Sequence, residues 1–80
     1  MYTLYILKCR DDSLYTGITT NLKKRLSEHR QRKGSKYVAS KLPFKLVHTE
    51  KFKTRSEALK REALIKGWRR ERKIKVLKIK

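Results

Sequence analysis

The stretch YTLYILKCRDDSLYTGIT, Tyr2 to Thr19, decides the fold. Tyr2–Cys9 is β-branched, aromatic and apolar, and short enough to read as a strand. Arg10-Asp11-Asp12-Ser13 supplies turn chemistry, and Leu14-Tyr15-Thr16-Gly17-Ile18-Thr19 reads as a second strand, which completes a β-hairpin. Two tyrosines, Tyr5 and Tyr15, fall within it. Side chains alternate along a strand, so the pair shares a face only if the connecting loop has an odd number of residues. A two-residue Asp11-Asp12 turn separates them, and a three-residue loop such as 11–13 brings them together.

Working outward from the hairpin, Thr20 and Asn21 are good caps for a helix from about Leu22 to Arg32, with Gly34 as its stop. Residues 35–44 read as irregular, with Pro43 marking a boundary. Leu46 to Phe52 is a third strand. Thr54-Arg55-Ser56-Glu57 has capping-box spacing, which predicts a long helix toward Arg70 with a kink near Gly67. The tail Lys73-Ile74-Lys75-Val76-Leu77 is a short last helix or an extended segment. The order β-β-α-β-α with a terminal element defines an α+β fold, a small three-stranded antiparallel sheet flanked by helices. Eighty residues without a Ser/Gly or Pro run imply one domain over 1–80 and a thin core.

Charge narrows the function. Twenty-four Lys and Arg against seven Asp and Glu give a net +17. Residues 1–50 carry eleven basic and four acidic side chains, and residues 51–80 carry thirteen and three. Such density repels itself and calls for a polyanionic partner. The same charge would serve a structural RNA binder, so it selects phosphate and leaves the chemistry open. The N-terminal run lacks a basic start and ends too soon for a signal peptide, and no stretch approaches the ~18 apolar residues of a membrane span. A single cysteine, Cys9, suits a reducing cytoplasm and reads as a small core residue of a strand. No Cys/His group has zinc spacing.

On the first helix, ~100° steps from Leu22 put Leu26, His29 and Arg25 on or beside the apolar stripe. Arg25 and His29 are i,i+4 neighbours there, and spacing alone reads them as surface residues. Lys23, Lys24, Arg30 and Arg32 are free to face solvent or phosphate. On the second helix, Glu62 falls within the apolar arc of Ala58, Leu59 and Ile65, where an unpaired carboxylate is costly. Two readings stand equal: an i,i+4 bridge to Lys66, or a carboxylate held at the core's edge for a divalent cation. Trp68 reads as packing, His48 as structural. Tyr37 and Phe44 either stack on bases or cover the core. The basic tail from Arg69 through Arg70 to Lys80 reads as a phosphate-contacting or solvated face.

Taken in order, Thr3-Leu4-Tyr5, Tyr15-Thr16-Gly17, Asn21-Leu22-Lys23-Lys24-Arg25 with His29, and the late Glu62 resemble the GIY-YIG nuclease domain. The resemblance runs from about Tyr2 to Leu77 and is closest to the small stand-alone bacterial members grouped as an uncharacterised-protein family. Thr3 stands in place of the first motif's glycine. Ile18 follows Gly17 where several family nucleases place a lysine.

The resemblance implies hydrolysis of nucleic-acid phosphodiesters, DNA before RNA, with one Mg²⁺ or Mn²⁺ ion. It makes Glu62 the metal ligand. Tyr5 or Tyr15 would accept a proton from the attacking water or orient it. Arg25 would stabilise phosphate charge, with His29 assisting by hydrogen bonding or proton transfer. A free tyrosine, with a pKa near ~10, needs a cation to act as a base at neutral pH. An arginine fork matches phosphate oxygens as lysine cannot. Lys23, Lys24, Arg30, Arg32, Lys66, Arg69 and Arg70 would line the nucleic-acid surface. A chain of this size leaves no room for an attached specificity domain, so the expectation is weak sequence preference or direction by a protein partner. The alternatives are a catalytically weak or inactive nucleic-acid-binding module of the same fold, and an adaptor for an acidic protein.

Overall fold

A computed structural model describes residues 1–79. Three antiparallel strands, β1 (Tyr2–Cys9), β2 (Leu14–Thr19) and β3 (Phe44–Phe52), form one sheet in the order β2-β1-β3. The central place of β1 explains its unbroken apolar sequence. Leu4, Tyr5, Ile6 and Leu7 are all buried because helices cover both faces of the sheet. Tyr5 and Leu7 look toward Val38, Leu22, Leu26 and Phe44 on one side. Leu4 and Ile6 look toward Ile65, Trp68, Ile74 and Ile79 on the other. Cys9 is buried in β1, as read from the sequence.

The hairpin loop has three residues, Arg10 to Asp12, inside a Cys9–Ser13 pair whose Cys9 N–H donates to the Ser13 carbonyl at 2.9 Å. Asp12 takes a left-handed conformation at φ 67°, as a type I turn closed by a bulge requires, and aspartate tolerates it. The odd loop count pairs Tyr5 with Gly17 and Leu7 with Tyr15, so both tyrosines lie on one face. The loop falls one residue earlier than 11–13.

Helix α1 spans Leu22–Arg30, capped by the Asn21 side chain, which accepts from the Lys24 N–H. It ends two residues before the expected Arg32. Arg32 itself adopts φ 64°, its N–H bonds the His29 carbonyl, and the Lys33 N–H bonds the Glu28 carbonyl. These are the paired bonds of a Schellman stop, made with arginine in the position glycine usually holds. Gly34 has a different task, described below. The segment expected to be irregular contains a short helix, α2 (Lys36–Ala39), which buries Val38, and β3 starts two residues before Leu46.

Thr54 caps α3 with half of the expected capping box: its Oγ1 accepts from the Glu57 N–H at 3.2 Å, while the Glu57 carboxylate accepts at 3.0 Å from the Thr54 hydroxyl instead of the Thr54 backbone N–H. The long kinked helix is two helices, α3 (Arg55–Lys66) and α4 (Arg70–Leu77). Gly67 caps α3, and the break lets Trp68 turn onto the core. Lys78, at φ 56°, closes α4 and drops Ile79 beside Leu4 and Ile6. Lys80, the end of the basic tail, lies outside the described residues. No helix among the described residues is long and apolar enough to cross a membrane.

Candidate active site

Tyr5 organises the site. Its ring crosses over Gly17 of the edge strand β2, where even one added Cβ would sit 2.5 Å from the Tyr5 hydroxyl and 2.6 Å from the ring carbon bearing it. The glycine of Tyr15-Thr16-Gly17 is therefore a steric requirement, since no φ there demands glycine. Tyr5 is 1% exposed, yet its hydroxyl is not isolated. Arg25 Nε donates to it at 3.3 Å, and it lies 2.9 Å from His29 Nε2.

Arg25 Nε can only donate, so the phenol oxygen accepts there. The Tyr5–His29 bond runs in either direction: the Tyr5 O–H donates to a bare Nε2, or an Nε2–H donates to the phenol oxygen. His29 Nδ1 has no partner among the described residues. His29 is fully buried, and desolvation first, then the neighbouring Arg25 charge, lower its pKa below 6.5. Burial raises the Tyr5 phenol above 10.0 against the bond from Arg25. At neutral pH the pair is tyrosine and imidazole, both uncharged.

Helix α1 sets this arrangement by its period. Arg25 and His29 stand one turn apart, as expected, but His29 is interior rather than at the edge of the stripe. Gly34 makes that possible. A Cβ there would meet His29 Nδ1 at 2.7 Å, so the absent side chain leaves room for the imidazole. Arg25 also reaches the Gly34 carbonyl at 3.5 Å and the Glu28 carboxylate at 3.6 Å.

Tyr15 is half-buried, its ring edge-on to His29 at 5.5 Å and 6.4 Å from Tyr5. On its outer side it stacks with Tyr37 of α2, with centroids 6.0 Å apart and planes at 28°. Lys41 steadies Tyr37 from above the ring and bonds Asp11 of the hairpin loop. Tyr37 thus belongs to the site's wall. A lone tyrosine in an apparently irregular segment gave no signal of that in the sequence, and neither did Gly34.

Glu62 lies on α3, which packs on the opposite face of the sheet. On α3 its neighbour Arg61 points to β3, where its guanidinium holds Glu50 at 2.8 and 3.2 Å. Glu62, about 100° round the helix, faces the β2 side, and its charge is felt at Tyr5. Its side chain is 17% exposed and pairs with Lys66 at 3.4 Å. The bridge reading of Glu62 holds as one long contact to an exposed lysine. No group of three metal-ligating side chains occurs among the described residues. One accessible carboxylate still fits Mg²⁺, which commonly takes one or two and fills its shell with water and phosphate oxygens.

The surface cations are not gathered into one cluster. Lys23, Lys24, Arg30 and Arg32 are exposed on or just past α1, with Arg30 lying over the Phe44 ring. Lys66 ends α3, Arg69 is the N-cap of α4 and Arg70 begins it, all on the other side of the sheet, and Arg70 Nε donates to the Asp12 carbonyl. Trp68 is packed between Arg61 and Arg72. His48 bonds Glu50 at 2.7 Å, in keeping with its structural reading.

Comparison with known proteins defines the class. The model of the GIY-YIG catalytic domain matches residues 1–75, and the chain belongs to that family. Within it, the chain is similar to the UPF0213 proteins. It is 46% identical over 74 residues to one from Staphylococcus haemolyticus, covering 92% of this chain and 90% of that relative. It is 50% identical over 70 residues to one from Haloquadratum walsbyi, covering 88% and 79%. The solution structure of the Bacillus halodurans UPF0213 protein superposes with a TM-score of 0.64 at 38% identity, over 98% of this chain and 84% of that one. That of an E. faecalis protein superposes at 0.70 and 44% identity, over 96% and 82%.

Proposed function

We propose that the protein hydrolyses phosphodiester bonds of nucleic acid, with DNA as the preferred substrate, using one divalent ion. The observation that carries this reading is the Tyr5 hydroxyl held between Arg25 Nε and His29 Nε2. A buried neutral tyrosine is a poor base alone, but with His29 in the tautomer that accepts at Nε2 its proton has a receiver. As water attacks phosphorus, the Tyr5 oxygen takes the water's proton while passing its own to His29, so no free phenolate forms. Arg25 stays charged throughout. It lends positive charge to the Tyr5 oxygen and to the phosphate oxygens that gain charge in the transition state.

Tyr15, nearer to solvent, orients the phosphate and the water. Glu62 would hold the ion, Mg²⁺ or Mn²⁺, whose part is to neutralise the scissile group and lower the pKa of bound water. The family match supports the nuclease-like reading and the net +17 supports a polyanionic substrate. A partner protein would supply sequence specificity.

The test separates chemistry from binding. Arg25→Lys keeps the charge but loses the Nε bond to Tyr5, so cleavage should fall by about 10²-fold or more while affinity for labelled DNA changes little. Cleavage by Arg25→Lys equal to that of the parent would contradict the proposal. The Glu62–Lys66 pair favours a second reading, a binding module in which the lysine replaces the cation. It predicts salt-sensitive binding with no turnover in any divalent metal.

A further inference from the structure

A groove of about 310 Å³ wraps the outer edge of β2, lined by Leu14, Tyr15, Thr16, Tyr37, Lys66 and Lys73. It joins the two faces of the sheet, with Tyr15 and Tyr37 on the Tyr5 side and Lys66 and Lys73 on the Glu62 side. Its chemistry is one-sided: two ammonium groups line it and no carboxylate does. Lys73 is half-buried on α4, and no carboxylate lies within ion-pair distance of it among the described residues. Lys66 has only its 3.4 Å contact with Glu62. With one carboxylate, Glu62, beside Lys66 and none near Lys73, the groove is left with positive charge that a bound anion neutralises.

Thr16 lines the groove, is 3% exposed, and its buried hydroxyl oxygen has no hydrogen-bond partner among the described residues. The strand pairing supplies a further donor. Cys9 and Ser13 form a hydrogen-bonded pair, so in the antiparallel ladder Leu7–Tyr15 and Tyr5–Gly17 do also. Leu14, Thr16 and Ile18 alternate with them, and on an edge strand their N–H groups turn outward. The Thr16 backbone N–H therefore faces the groove its side chain lines.

We infer that this groove is a second phosphate subsite, which takes the phosphodiester group flanking the scissile one between Lys66, Lys73 and the Thr16 N–H. The inference rests on the nuclease reading for the word "flanking"; the anion site itself rests on the groove. It also gives Lys66 two uses. Paired with Glu62 in the free protein, the ammonium turns to the flanking phosphate once Glu62 is neutralised. The strand then runs across the β2 edge, past Tyr37, with the Tyr5–Arg25–His29 cluster on one side of it and Glu62 on the other.

Lys73→Gln and Lys75→Gln test the subsite. Both remove one charge from the same helix, but Lys75 is exposed and lies about 200° round the axis from Lys73. Titration of the ¹⁵N-labelled protein with inorganic phosphate should shift the Thr16 and Lys73 amide signals most. Lys73→Gln should abolish that response and Lys75→Gln should keep it. With a fluorescent oligonucleotide in EDTA, Lys73→Gln should weaken binding severalfold and reduce the slope of log affinity against log salt by about one; Lys75→Gln should do markedly less. Equal losses in the two variants, or phosphate shifts with no maximum at the groove, would overturn the subsite. Neither readout uses cleavage, so a failure of the nuclease reading would show separately as oligonucleotide binding with no turnover in Mg²⁺ or Mn²⁺.

Discussion

The Tyr5 hydroxyl and His29 Nε2 lie 2.9 Å apart inside the protein, on a strand and a helix 24 residues distant in sequence. Arg25 Nε donates to the same phenol oxygen, and in the tautomer with a bare Nε2 the imidazole receives the tyrosine's proton. Tyr5→Phe removes the oxygen from this relay and strands a buried ring nitrogen. Cleavage should fall by about 10²–10⁴-fold, and folding stability by about 1–3 kcal/mol. Single-turnover rates and urea denaturation read the two effects independently.

The neutral state of His29 sets a pH dependence. Its folded pKa lies below the ordinary 6.5 because burial and Arg25 oppose a second proton. The unfolded chain therefore binds more protons between those two pKa values. Stability is full above about pH 6.5, declines as the pH falls below it, and levels off below the folded pKa. His29→Gln should flatten that part of the stability curve, as followed by denaturation midpoints between pH 7 and pH 4.5.

Gly17→Ala tests the packing that places Tyr5. The added methyl would meet a ring held on all sides, so a loss of about 1–3 kcal/mol is expected. Gly67→Ala is the comparison: its Cβ would find only the Leu64 and Ala63 carbonyls, at 3.5 and 3.8 Å, and φ is −77°. It should be near neutral. Thermal melting of the two variants side by side distinguishes them.

Glu50 gives a control outside the site. Burial alone would raise its pKa, but bonds from Arg61 and His48 hold it below 4.5. This contribution to stability is present above about pH 4.5 and is lost as the pH falls through the lower folded value. Arg61→Ala should cost about 1–3 kcal/mol and leave the cleavage rate constant unchanged under folded conditions, as denaturation and single-turnover assays would record.

Much of this arrangement was legible in the sequence, and the exceptions share a cause. The hairpin and the Asn21 and Thr54 caps follow from local chemistry acting within a few residues. The i,i+4 period put Arg25 beside His29, and the helical arc put Glu62 toward the sheet. What periodicity missed was depth. His29 looked peripheral on α1, and only the space left by Gly34 from the following loop makes it interior. Gly34 itself read as a helix stop because glycine usually is one; here Arg32 bears the left-handed turn. Tyr37 was ambiguous because its partners, Tyr15 and Lys41, come from separate segments. Trp68 broke the expected long helix because the core has a place for its ring.

The central claim is that Glu62 and the Tyr5 cluster together make a metal-dependent nuclease. The most direct measurement is cleavage of a panel of labelled DNA and RNA structures in Mg²⁺ or Mn²⁺, with EDTA as control, by the parent protein and Glu62→Gln. The account predicts cleavage that needs the metal, favours DNA and disappears in Glu62→Gln while binding persists. Binding without cleavage across the whole panel, or equal cleavage by Glu62→Gln, would contradict it.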